Sequence, residues 1–125
     1  MNKKAVDKLI PQAYEALKSH KIAENNSIPK TFRGQISSFG AAISIGSVLS
    51  AVAFFSQAGG GSEIDRSKLM DAVFDLMPNK PNYSSLREYI IKNNDKSTKE
   101  NILNACIALK LAMNFYQLTG DKNNG

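Results

Sequence analysis

Residues 34–62 read GQISSFGAAISIGSVLSAVAFFSQAGGGS, and no residue in the stretch carries a charge. Within Ile36–Phe55 thirteen residues are apolar, five are serine and two are glycine. A run of this length raises the question of a membrane span. Five hydroxyls and two glycines make a poor one, because each polar group dilutes the transfer energy that drives insertion. The stretch instead predicts a long, uncharged central helix surrounded by others. Gly40, Ser44, Ser47 and Ala51 recur at helical spacing, and such a small-residue stripe lets a neighbouring helix approach closely. Ile45, Leu49, Val52 and Phe55 form a bulky stripe beside it. Gly59-Gly60-Gly61 stops the run, and Ser62 is placed to cap the next helix, with Glu63 and Asp65 in its first turn.

Outward from this segment the periodicity stays helical. Val6, Leu9, Ile10, Ala13 and Leu17 mark the apolar face of a helix over 3–20. Pro11 interrupts it, removing a backbone donor and predicting a kink or a new first turn. Residues 21–30 hold Asn25, Asn26, Ser27 and Pro29 and read as a loop. After the glycines, Leu69, Ala72, Val73 and Leu76 mark a helix that Pro78 and Pro81 end. Ser85 and Glu88 have the spacing of a capping box before a short helix, with Leu86, Tyr89 and Ile90 inward. A second box, Ser97 and Glu100, opens a last helix over about 98–118, with Ile102, Cys106, Leu109, Met113 and Tyr116 on its apolar face. No stretch alternates with period two. The expectation is an all-α, single-domain bundle of about five helices over 1–120, followed by a polar tail at 121–125.

Chemistry is sparse. His20 is the single histidine and Cys106 the single cysteine, so no histidine pair, internal relay or internal disulfide is available. His20 stands at a helix end, where a capping role suits it. Cys106 lies on an apolar stripe and reads as a buried, inert thiol. Asp71 and Asp75 are four apart on one helical face, but no second carboxylate pair backs them as a metal or acid–base site. Gly59-Gly60-Gly61-Ser62 lacks the Walker spacing and its lysine, and Glu63 and Asp65 would repel a phosphate there. The expectation is no enzyme, no cofactor and no metal. Met1-Asn2-Lys3-Lys4 is followed by no apolar run of a signal peptide, and a reducing cytoplasm fits the cysteine usage.

Charge is the functional signal. The chain carries a net +5, and residues 1–33 hold +4 of it. Lys18, Lys21, Lys30 and Arg33 fall within sixteen residues, opposed by Glu24 alone, and straddle the loop between the first two helices. Such a group neutralises phosphates, giving salt-sensitive and sequence-independent nucleic-acid binding. The same charges also fit a solvated basic face. Lys92, Lys96 and Lys99 form a second group, diluted by Asp95 and Glu100.

The order of features resembles the small, non-catalytic helical subunit of type III-B (Cmr-type) CRISPR RNA-guided effector complexes. Three parts carry the resemblance: Phe32-Arg33 opening the second helix; the run Ile45–Phe55, with Gly46 and Ala53-Phe54 as matching positions; and the alanine-rich closing helix from Asn101 to Leu118. Ile45 stands where the family has asparagine. The resemblance implies a small α-helical domain whose copies stack head to tail beside other subunits of the complex. They line the channel for guide and target RNA and leave cleavage to those other subunits. Two further readings are a membrane-associated protein with a span at 36–55 and a generic helical adaptor.

Overall fold

The computed structural model describes residues 2–56, 66–78 and 80–120. These are mostly helical, as the periodicity predicts. Helix α1 (Lys3–Ser19) starts at Asn2, whose Oδ1 accepts the Ala5 N–H at 3.1 Å. Its buried face is Val6, Ala13, Ala16 and Leu17. The helix runs on through Pro11, which is exposed, as is the turn around Asp7 whose carbonyl loses its usual donor. After α1 the N–H groups of Ile22 and Ala23 both reach the Leu17 carbonyl, and Lys21 adopts φ 59°.

Two short strands were not expected. β1 (Ser27–Pro29) pairs in parallel with β2 (Gln117–Thr119), Ile28 opposite Leu118. Three residues are too few to show an alternating pattern, and the partners lie about ninety positions apart in the chain. The consequence is concrete: Ile28 is fully buried, and the chain just beyond α1 is paired to the segment that follows the last helix.

The long central helix expected from residues 34–62 is not formed. The segment makes two helices, α2 (Lys30–Ile45) and α3 (Val48–Phe55), broken at Gly46-Ser47. Gly46 takes φ −130° and ψ −137° while its N–H still bonds the Ala42 carbonyl at 2.9 Å. Ser47 then opens α3, its Oγ accepting the Ser50 N–H at 3.2 Å. Glycine and serine both do better at helix ends than in helix interiors, so the break falls where propensity is weakest. The stripes change accordingly. Ser44 and Ser47 are exposed, Ile45 is 89% exposed, and the buried face of α2 is Phe32, Ile36, Phe39 and Ile43.

α4 (Ser67–Asp75) buries the expected Leu69, Ala72 and Val73, with Leu76 buried just beyond it. Its expected caps and the preceding triple glycine lie outside the described residues, as does the 121–125 tail. A 3₁₀ turn at Lys80–Asn82 leads to α5 (Leu86–Lys92). Ser85 caps α5, Oγ accepting the Glu88 N–H at 3.1 Å, while Glu88 Oε1 turns back to the Ser84 N–H at 2.7 Å. That bond and the Ser84 hydroxyl hold the Glu88 carboxyl below its ordinary pKa.

α6 (Lys96–Ala112) begins earlier than expected. Its cap is Asp95, whose Oδ1 accepts the Thr98 N–H at 2.8 Å, and the Ser97–Glu100 box is not used. It also ends earlier, giving way to a 3₁₀ turn at Met113–Phe115 and then to β2. Ile102, Cys106, Leu109, Met113 and Tyr116 are all buried as the stripe predicts. α6 buries eight of its residues where each of α1 to α4 buries four, and it packs against α1, α2 and α4. The hub of the core is therefore α6 and not the uncharged segment. A backbone Cβ placed on Gly40 would lie 3.8 Å from Cys106 Cβ, so α2 comes close to α6 at that glycine. Six α-helices are present among the described residues rather than five, because the second is two. None of them is long and apolar enough to cross a membrane.

Candidate nucleic-acid interface

The four basic residues occupy two helix ends. Lys18 is in the last turn of α1, where a cation complements the carbonyl end of the helix. Its Nζ lies 5.2 Å from the centre of the Tyr14 ring, close enough for a cation–π contact. Tyr14 is itself fixed by Tyr116, which stacks on it at 4.7 Å and donates its hydroxyl to the Tyr14 carbonyl at 2.9 Å. Burial first, and the neighbouring Tyr14 second, push the Tyr116 hydroxyl up to about 12. Lys21 follows in the left-handed conformation and is exposed.

Lys30 and Arg33 stand three apart in the first turns of α2, so they share one side of the helix. Between the two pairs, Glu24 and Ser27 exchange both backbone hydrogen bonds at 2.9 and 3.0 Å, with Asn25 and Asn26 at positive φ. This tight turn reverses the chain. Among the described residues no carboxylate forms an ion pair with any of the four.

The start of α2 is electropositive. Pro29 supplies no side-chain cap, and the first turn holds no acidic residue. Two cations therefore sit beside a helix N-terminus, which already carries partial positive charge and attracts anions. Arg33 is half-buried, and its Nε is buried without a hydrogen-bond partner. The sequence marks these charges but not the orphaned donor, which depends on what packs around the side chain.

The other candidates resolve into structure. His20 is the C-cap residue of α1, and its Nε2 lies 2.7 Å from Asp75 Oδ2 at the end of α4. Lys80 Nζ sits 3.3 Å from the other oxygen of Asp75. Asp75 is thus an anchor between elements rather than half of a carboxylate pair with Asp71. Among the described residues no group of three metal-ligating side chains converges. Cys106 is buried, and burial pushes its thiol up to about 12, so it is not a nucleophile at neutral pH.

One feature has no local signal in the sequence. The Arg66 guanidinium lies 4.7 Å from the Phe54 ring centre and 5.7 Å from that of Phe55. The three residues wall a cavity of about 460 Å³ against the α2 face made by Thr31, Gly34, Gln35 and Ser38. An aromatic pair at the end of one helix and an arginine before another reveal nothing until the chain brings them together. No protein family, characterised protein or solved structure matches this chain.

Proposed function

We propose that the protein is a non-catalytic RNA-associated subunit of a type III-B CRISPR effector complex, holding guide or target RNA through its phosphates at Lys18, Lys21, Lys30 and Arg33. The observation that carries this reading is the opening of α2: two cations, no acidic residue in the first turn and no side-chain cap, joined through a tight turn to the segment that carries Lys18 and Lys21. Phosphate contacts of this kind position a nucleic acid without reading its bases. Head-to-tail self-association, which the resemblance implies, requires apolar surface; Ile45, Leu49 and Phe54 are exposed around the α2–α3 corner. The same exposed residues favour a second reading, a helical adaptor that recognises a protein partner only.

The test is binding of single-stranded RNA and of a guide–target duplex across a salt series. For single strands the logarithmic slope is about −0.7 per neutralised phosphate, so four contacts give roughly −3. Replacing Lys18, Lys21, Lys30 and Arg33 by alanine lowers affinity and flattens the slope, and the three lysines are exposed, so their removal leaves the core intact. Affinity indifferent to salt, or unchanged in the fourfold variant, rejects the reading. RNA-free capture of protein partners alone supports the adaptor.

A further inference from the structure

We propose that the cavity between α2 and α3 receives one unpaired nucleobase, adenine by preference, from the RNA strand whose phosphates Lys30 and Arg33 hold. The inference deepens the RNA reading above and rests on it. Its geometry is independent of the charges. Thr31, Gly34, Gln35 and Ser38 recur at i, i+3, i+4 and i+7, so they form one face of α2. Lys30 and Arg33 each precede a member of that face by one residue, about 100° round the helix. A strand tracked by the two cations therefore runs along the cavity's edge.

The opposite wall suits a flat, polarisable ligand. Arg66 is layered on Phe54, which stays 54% exposed and so offers ring surface to a base. Aromatic rings and guanidinium planes are the usual platforms for unpaired bases. Gln35 supplies the edge contact. Gln35 lines the cavity and its Oε1 is buried with no hydrogen-bond partner, an acceptor left for a donor that enters there. A glutamine amide, with acceptor and donor side by side, matches the N6 and N7 edge of adenine. Gly34 lines the cavity and the space beside it is open: a Cβ there meets nothing within 4 Å, which leaves room for a larger side chain.

The experiment uses the full chain and three labelled decamers of equal charge: riboadenylate, ribouridylate and an abasic phosphoribose strand. Riboadenylate is expected to bind about tenfold more tightly than the abasic strand, as one stacked base provides, with ribouridylate weaker than riboadenylate. Phe54→Ala removes the platform, and Gly34→Leu fills the open space while favouring the helix; both variants are expected to bind riboadenylate and the abasic strand alike. Melting curves of the two variants verify their folding. Equal affinity of the unmodified protein for riboadenylate and the abasic strand overturns the proposal, as does a difference that survives both substitutions. Equal affinity for adenylate and uridylate overturns the role given to Gln35. If abasic binding stays salt-dependent while the base increment is absent, the cavity proposal alone fails. If the increment persists while the fourfold charge variant binds normally, the phosphate reading alone fails.

Discussion

Replacing Gly46 by alanine sets two forces at the α2–α3 corner against each other. Inside a continuous helix, alanine is favoured over glycine by about 1 kcal/mol. At the corner, the added Cβ would lie 2.9 Å from the Ala42 carbonyl oxygen, closer than such atoms pack. That oxygen cannot simply move away, because it accepts the Gly46 N–H at 2.9 Å. Relief requires lengthening this bond or shifting α3, whose Ala51, Val52 and Phe55 are buried in the core. Overpacking of this kind costs about 1–3 kcal/mol. For a chain of this size that is a fall in melting temperature of roughly 4–12 °C. The assay is thermal and urea unfolding followed by far-UV circular dichroism. A raised melting temperature with more helical signal would refute the broken geometry and restore one helix across residues 30–55. Ser47→Ala provides the companion measurement: loss of the cap costs about 1 kcal/mol, whereas in an uninterrupted helix the same change stabilises by a few tenths.

Three further expectations follow from other elements. Asp95→Ala should destabilise by about 1 kcal/mol through loss of the α6 cap, while Ser97→Ala stays within about 0.5 kcal/mol; equal effects in urea unfolding would contradict the cap assignment. The Cys106 thiol is raised from 9.0 to about 12 in the folded chain, so above pH 9 the unfolded state loses its proton first. Stability then falls with rising pH between 9 and 12, by at most about 1.4 kcal/mol per pH unit from this group. Tyr116, raised from 10.0 to about 12, acts in the same direction above pH 10. Cys106→Ala should remove the portion of the slope that begins near pH 9, and urea titrations at several pH values check it. A double-mutant cycle on His20 and Asp75, whose side chains are 27% and 30% exposed, should give a coupling of no more than about 1 kcal/mol that shrinks in high salt; a larger, salt-insensitive coupling would mean a dry ion pair.

Periodicity identified the helices whose apolar faces are set by local spacing. Leu69, Ala72, Val73 and Leu76 are buried as expected, and so is the whole stripe from Ile102 to Tyr116. It failed where two states were close in energy. Gly46-Ser47 tolerates either a poor helix interior or a good junction, and the choice depends on whether Phe39, packed edge-on to Phe55 at 5.2 Å, is better buried by folding α3 back. The candidate interface divides the same way. Lys18, Lys21, Lys30 and Arg33 are legible as charges. The ring beneath Lys18, the orphaned Nε of Arg33 and the Arg66–Phe54 layer are products of packing.

By itself, then, the sequence determined that this chain is mostly helical, where four of its apolar faces lie, and that its cations gather around the α1–α2 turn, because these properties are carried by spacing of a few residues. Tertiary structure alone decided that the uncharged segment bends rather than runs straight, that α6 is the hub, and that Ser27–Pro29 finds its partner at Gln117–Thr119. Each of those depends on contacts between residues far apart in the chain, and no local pattern encodes the energy of such a contact.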